Sequence, residues 1–449
     1  MIRTAETSHA FYSNLRGDLP TIDRGEGVYL YDTNGKRYLD GSSGPVACNI
    51  GHGVKEIAEA LADQAEKVSY AFRSQFTSEP IEKLADLIAE MAPGDLSRVF
   101  FLSSGSEASE MAAKIAQQYY LEQGKMRKEL IVSRWMGYHG ITLGALSMSG
   151  HVYRRKNYVM SLLPYPKIPA CYCYRCPLGR QYPDCGIGCA HKLTEAVQRT
   201  GQDYISAFIA EPVVGATAGV VGAPPEYFRI IREICDDSDM LFVADEVMTG
   251  FGRTGKDFAI AHDNVVPDMI TFAKGASAGY YPLAGIIVSE KIYRVLREGS
   301  GRFGPGHTYS ATPLAGAVGA KVIEYCKEHD VFGNVNRLSP YLMDQLNSLY
   351  KYSIVGDVRG KGFLTGIEFV RNRKTKEPFD FKQWAKISLM IVQKAFEKGL
   401  LIYPGGGTVD GHRGDHILIA PPLTIKKHEI DELFFLLDQS IKEVQEEIL

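Results

Sequence analysis

Apolar residues recur along the chain in two alternating rhythms. Short runs such as "RVFFLSS" (98–104), "ELIVSR", "AFIAEPV", "LFVADEV" and "MITFAK" are apolar at nearly every position, the pattern of strands buried on both faces. Between several of them, apolar residues return every three or four positions, as in "EASEMAAKIAQQYY" and "EYFRIIREICDD", which predicts amphipathic helices. Strands joined by helices predict a largely parallel sheet with helices on both faces. Ahead of it, "EGVYLYDTNGKRYLD" (26–40) predicts a hairpin, because Asn34-Gly35 supplies the positive φ values of a tight turn.

After about residue 325 the rhythm changes. "VRGKGFLTGIEFV" and "HILIAPPLTI" predict strands of a smaller α+β lobe, and "KQWAKISLMIVQKAFEKG" and "KKHEIDELFFLLDQSIKEVQEEI" predict its helices. The expected plan is an N-terminal segment (1–70) that contributes to the small domain and the active site, a large α/β domain (71–325) and a C-terminal small domain (326–449).

Composition narrows the partners. A net charge of −3 over 449 residues, with no dense basic patch, points away from nucleic acid and membrane surfaces and toward small molecules. The chain lacks a run of about 18 apolar residues, and its N-terminus lacks the apolar core of a signal peptide, so the cytoplasm is the expected location. Five of the eight cysteines fall within "CYCYRCPLGRQYPDCGIGC" (Cys171 to Cys189). A chain this long needs no disulfide scaffold, which fits a reducing compartment.

Ligands of open α/β sheets bind at the carboxyl ends of the strands, so the residues that close the apolar runs carry the candidate chemistry. After "FFLS", Ser104, Gly105 and Ser106 open a helix and offer backbone N–H groups and hydroxyls to a phosphate; an ordinary helix cap would look the same. Asp245 closes "LFVAD", where a buried carboxylate asks for a cationic partner. Lys274 closes "MITFA", where shielding from water lowers an amine's pKa and makes it nucleophilic toward an aldehyde. Together the three supply what pyridoxal phosphate needs: one group each for its phosphate, its pyridinium nitrogen and its aldehyde.

These residues resemble the class III aminotransferases, pyridoxal-phosphate enzymes of fold type I, over essentially the whole chain. "SGSEA" (104–108), "GYHG" (137–140), "EPV" (211–213), "DEVMTGFGRTG" (245–255), "AKG" with "GYYPLAG" (273–285), "TYSATPLA" (308–315) and "APPL" (420–423) occur in that family's order. The resemblance implies a large domain with a mixed, mostly parallel sheet and a smaller α+β C-terminal domain. It implies that Lys274 holds pyridoxal 5′-phosphate as a Schiff base and moves the proton between substrate Cα and cofactor C4′. It further implies that Asp245 binds the pyridine nitrogen, that Val247 packs on one ring face, and that Tyr138 stacks on the other with His139 beside it. Ser104, Gly105 and Ser106 would hold the phosphate, and Glu211 would support the aspartate and the cofactor region. The family's counterpart of Thr308 reaches the phosphate of the neighbouring subunit, which implies a homodimer, or a dimer of such dimers, with sites at the interface.

Departures from the family pattern bear on the substrate. Relatives that use 4-aminobutyrate with 2-oxoglutarate usually carry a second glutamate after "EP" and an arginine before "PPL"; this chain has Ala216 and Leu418 there, and Met248 in place of a glutamine. This is similar to aminotransferases that use an ω-amino acid or amine with pyruvate, which have small residues after "EP" and an arginine on a mobile loop. Arg413, in "YPGGGTVDGHRGDH", is the candidate carboxylate partner, with a solvated loop arginine as the alternative. Those pyruvate-using enzymes often have a leucine–tryptophan pair where this chain has Pro45 and Val46; from this departure Val46 and Tyr138 are expected to line a smaller-walled substrate pocket. The expected reaction moves an amino group from an ω-amino acid or amine to an oxo acid, with pyruvate the expected acceptor. Its alternatives are a 2-oxoglutarate-dependent 4-aminobutyrate or diamine aminotransferase, a lyase or aminomutase of the same family, or a non-enzymatic metal-binding protein on the same fold.

The cysteine segment reads C-x-C-x₂-C-x₈-C-x₃-C. Four of its thiols would suffice for zinc, but it lacks two C-x₂-C knuckles and is rich in tyrosine and proline. A packed surface loop near the active-site entrance, with no metal, is the expectation.

Overall fold

Seven strands form the central sheet of the computed structural model, which describes residues 8–12, 14–15, 17, 19–379 and 386–449. Their order is Leu96–Leu102, Ala284–Ser289, Met269–Phe272, Leu241–Asp245, Ile205–Ala210, Leu130–Arg134 and Lys167–Ile168. Ala284–Ser289 runs antiparallel to both of its neighbours, and the pairs from Met269–Phe272 through to Lys167–Ile168 are parallel. The sheet is therefore mixed and mostly parallel.

Both faces of this sheet are apolar, because successive side chains of one strand enter two different cores. Leu241 and Val243 pack with the Gly105–Leu121 helix, through residues such as Ala108, Met111 and Ile115. Phe242 and Ala244 face the opposite core, built with Leu84, Leu193 and Phe228 from the Glu79–Met91, Gly188–Thr200 and Tyr227–Asp237 helices. By the same alternation Asp245 falls on the side of the Gly105–Leu121 helix.

The hairpin pairs Tyr29–Asp32 with Arg37–Asp40, and Gly35 at its turn has φ +82°. Ile22–Glu26 adds to one edge, and Leu400–Leu401, from the C-terminal part of the chain, pairs in parallel with Arg37–Asp40. A second four-stranded sheet, antiparallel throughout, orders Val355–Lys361, Leu364–Phe369, Asp415–Ile419 and Tyr403–Gly406. Its core combines Val355, Ile367 and Ile417 with Leu433 and Leu437 of the Lys427–Ile448 helix, and also takes in Val28, Leu39 and Ile57 from the N-terminal region. The "KQWAKISLMIVQKAFEKG" helix spans Lys386–Glu397; residues 382–385 of that stretch lie outside the described residues. Residues 1–7, within the N-terminal stretch read for a signal peptide, do so too. Among the described residues, no helix is long and apolar enough to cross a membrane.

Candidate active site

The ends of two adjacent parallel strands bring the candidate residues together. Asp245 pairs with Thr271 in the ladder, so the Lys274 turn follows directly beyond the neighbouring strand's last pairs. Lys274 sits in the left-handed region at φ +45°, a conformation that costs a non-glycine residue of order 1–3 kcal/mol and persists only where surrounding structure imposes it. Its Nζ donates to the carbonyl of Pro45 at 2.8 Å. The amine opens on a cleft and keeps intermediate exposure, yet the surrounding protein desolvates it enough to lower its pKa to about 8; Asp245 opposes this fall, and the charges of Arg253 and Arg154 add to it.

Asp245 is buried and fully engaged. Its Oδ2 lies 2.7 Å from His139 Nδ1, and its Oδ1 accepts the N–H of Val247 at 3.1 Å. His139 is itself buried, and its backbone N–H donates to Ser149 Oγ at 2.8 Å. Behind it, Glu211 Oε1 accepts the N–H of Tyr138 at 2.8 Å, and Arg134 donates to the Glu211 carbonyl at 2.5 Å. Two buried polar atoms facing this region, His139 Nε2 and Glu211 Oε2, have no hydrogen-bond partner among the described residues.

The third element is the start of the Gly105–Leu121 helix. Ser104 caps it, accepting from the Glu107 N–H at 3.3 Å, while Glu107 Oε2 accepts from the Ser103 N–H at 3.0 Å. Ser106 Oγ accepts the N–H of Ile141 at 3.0 Å, which joins the helix start to the "GYHG" turn. Two glycines make this approach possible. A Cβ on Gly105 would come within 2.9 Å of Val247, and one on Gly140 within 2.6 Å of Ser106 Oγ.

The cleft over Lys274 has a volume of about 1110 Å³. Ala216, Met248 and Leu418, which separate this sequence from 4-aminobutyrate relatives, meet Val46 in one apolar cluster on its wall, with Val213 and Tyr403 beside them. Tyr138 also lines the cleft.

The class III aminotransferase family model matches residues 13–441. The chain is a class III aminotransferase. The enzyme is 42% identical over 444 residues to an uncharacterized aminotransferase, YodT, of Bacillus subtilis, covering 98% of this chain and 99% of that one. A putrescine–pyruvate aminotransferase of Pseudomonas aeruginosa is 34% identical over 418 residues, covering 92% of this chain and 89% of that one. An aminotransferase of Vibrio fluvialis, solved in its PMP-bound form, superposes with a TM-score of 0.91 at 29% identity, covering 99% and 98% of the two chains. The fold is that of the type I pyridoxal-phosphate enzymes, and the aminotransferase depends on pyridoxal 5′-phosphate as its family does. Its residues suit that cofactor: a buried carboxylate held by a histidine, a desolvated amine, and a helix N-terminus that Gly105 brings close against Val247.

The aminotransferase does not bring every expected residue to this cleft. Arg413 is absent from its lining; the 407–414 loop folds back on itself through Gly407 to Gly414 and Val409 to Arg413 backbone bonds. Asp410 caps that loop at the Arg413 N–H and pairs with Arg413 Nε at 2.7 Å. Thr308, expected at the site of a neighbouring subunit rather than in this cleft, lies exposed in the 308–311 turn.

Sequence reasoning missed three supporting groups. Arg253, inside the "DEVMTGFGRTG" motif, is fully buried and donates to Asn49 Oδ1, Ser43 Oγ and the carbonyls of Phe363 and Pro421, which fixes the segment that presents the Pro45 carbonyl to Lys274. Arg134 braces Glu211, and Arg154 lines the cleft beside Tyr138. No local signal distinguishes these arginines from surface ones, because their partners lie far away in sequence.

The cysteine segment packs between the two sheets. Tyr172 and Arg175 both reach Glu368 of the second sheet, with Arg175 Nε donating at 2.6 Å. All eight cysteines of the chain are free thiols, and the five of the segment ring a small void. Among the described residues, sets of three His, Cys, Asp or Glu ligand atoms within 4.8 Å of one another occur at Asp40–Cys48–His52 and Glu56–Glu328–His329; none of the five belongs to one.

The lowered pKa of Lys274 gives a pH dependence with a definite sign. Between about 8 and the ordinary 10.5, the unfolded chain binds a proton that the folded chain has released, so the cofactor-free protein gains stability from this group as pH rises through that window. Below about 8 both states hold the proton and the folded state bears the cost of desolvating it. Lys274→Met removes that cost. The melting temperatures of the two cofactor-free proteins are expected to differ most, in favour of the variant, near pH ~7, and to converge toward pH ~10.

Proposed function

We propose that this aminotransferase moves an amino group from an ω-amino acid or amine to an oxo acid, with pyruvate as the acceptor. The observation that carries the reading is the apolar cluster of Val46, Ala216, Met248 and Leu418 on the wall of the cleft over Lys274. A second carboxylate, as in 2-oxoglutarate, would lose water against that wall without gaining a partner from it. The Pseudomonas aeruginosa relative named as a putrescine–pyruvate aminotransferase supports the same choice.

When bound, pyridoxal 5′-phosphate supplies an aldehyde that takes up the amino group and a ring that accepts electrons from substrate Cα. Lys274 Nζ would bond that aldehyde and would hold and move the proton of substrate Cα. Its lowered pKa suits both tasks, since each needs the neutral amine at some stage. Asp245 would keep a proton on the pyridine nitrogen, and His139 and the Val247 N–H hold its carboxylate in place. Tyr138, whose backbone position is set by Glu211, would pack on one face of the ring and Val247 on the other. The N–H groups of Gly105 and Ser106, with the Ser104 and Ser106 hydroxyls, would hold the phosphate at the positive end of the helix.

The enzyme works as a homodimer, with Thr308 reaching across to the partner's phosphate site. Its exposed position supports this, as does the exposed apolar surface around it, where Tyr309 stacks edge-on against Tyr70 and Phe72 and Phe76 lie uncovered.

A panel pairing one donor with either acceptor tests the acceptor choice. The expected result is kcat/KM about 10-fold or more higher for pyruvate than for 2-oxoglutarate. A preference for 2-oxoglutarate would overturn it.

A further inference from the structure

We propose that Arg154 binds the carboxylate of the substrate in the cleft over Lys274. The inference rests on the proposed reading that oxo acids, and amino acids that regenerate them, occupy this cleft.

The cleft is electrostatically one-sided. No aspartate or glutamate lines it, and its two cationic side chains are Lys274 and Arg154. Lys274 is committed to the cofactor, which leaves Arg154 as the cation available to a ligand. A carboxylate entering this space meets apolar wall from Val46, Ala216, Met248 and Leu418 on one side and a guanidinium on another.

Arg154 is built to be available. It sits in the one-turn Val152–Arg155 helix, whose start is held by His151 Nδ1 accepting the Arg154 N–H at 3.2 Å. Burial lowers the His151 pKa to about 4, with the Arg154 and His416 charges adding to the fall, so the ring is neutral near pH 7 and keeps the lone pair this bond needs. The neighbouring Arg155 behaves quite differently: its Nη1 donates to the carbonyls of Leu146, Ser147 and Ser149 at 2.8, 3.2 and 2.7 Å. The Arg154 guanidinium instead lies 4.8 Å from the centre of the Tyr138 ring, with no carboxylate within 4.0 Å among the described residues. Stacking on an aromatic face leaves the in-plane N–H groups of a guanidinium free for a bidentate carboxylate. Arg413, the sequence's own candidate, already spends its Nε on Asp410 outside this lining.

The experiment uses the holoenzyme and substrates with and without a carboxylate: pyruvate against propanal as acceptors, and β-alanine against butylamine as donors. In Arg154→Gln, kcat/KM is expected to fall about 10- to 100-fold for pyruvate, mostly through KM, and to stay within about 3-fold for propanal, because one charge-assisted contact is lost. Arg154→Lys, which keeps the charge without the fork, should recover part of the loss. Propionate, which carries the carboxylate and cannot react, gives a readout independent of turnover; its Kd by calorimetry should loosen about tenfold or more in Arg154→Gln. A matching loss with β-alanine but not butylamine would assign the contact to the donor's carboxylate as well.

An equal loss with pyruvate and propanal, or an unchanged Kd for propionate, would overturn the proposal, since a merely structural arginine would act that way. So would a pyruvate-specific loss found in Arg413→Ala and not in Arg154→Gln. If wild-type enzyme transaminates no oxo acid with any donor, the functional reading itself fails and this proposal with it; if it uses pyruvate and Arg154→Gln uses it equally well, the proposal fails alone.

Discussion

Lys274→Ala is expected to lower kcat/KM about 10⁴-fold or more, because under the proposed function the amine that would bond the cofactor would also carry the Cα proton. The structure gives the change a clean interpretation. Lys274 Nζ makes one hydrogen bond, to the Pro45 carbonyl, and that segment is fixed independently by Arg253 through Ser43 and Asn49. The fold should therefore survive, with the melting temperature of the cofactor-free variant at or above that of the wild type near pH ~7, since a desolvated charge has been removed. The variant should also lack the yellow colour that a bond between the cofactor and this amine would give the wild-type enzyme. Turnover within about tenfold of wild type would mean that a different base moves the proton.

Asp245→Asn is the second large effect, a fall of about 10²- to 10³-fold in kcat/KM with the backbone left in place. Asparagine has nearly the same shape and can still accept the Val247 N–H, which the aspartate takes at 3.1 Å. What it loses is the negative charge proposed to keep the pyridine nitrogen protonated. Because His139 Nδ1 lies only 2.7 Å from Asp245 Oδ2, that imidazole is a positioning group, and His139→Ala should cost less than Asp245→Asn. A spectrum and rate unchanged by Asp245→Asn would remove the aspartate from the chemistry.

How much of this was legible in the sequence depended on whether a residue's role is set by its own strand. Asp245 and Lys274 stood out because each closes an apolar run, and the sheet register does the rest by pairing Asp245 with Thr271. The helix start at Ser104 to Ser106 was visible for the same reason. The antiparallel strand Ala284–Ser289 was not, because "LAGIIVS" is as apolar as a parallel strand and direction leaves no trace in such a pattern.

Contacts across long separations were also invisible. His139 and Asp245 are 106 positions apart, and nothing local marks that imidazole as the aspartate's partner. The individual departures at Ala216, Leu418, Met248 and Val46 could be read one by one, but only folding joins them into one wall. Arginines were the hardest case. "HVYRRKNY" and "GHRGDH" look alike as loops, and the difference between Arg154 on the cleft and Arg413 on Asp410 lies entirely in which way each segment turns.

The central claim is that this chain does its chemistry through the amine of Lys274. Borohydride reduction of the holoenzyme, followed by digestion and mass mapping, tests it directly. The account predicts a reduced pyridoxyl group on the peptide that contains "ITFAKGASAGYYPLAG" and on no other. A label on a different lysine, or none on a protein that is yellow and active, would contradict it.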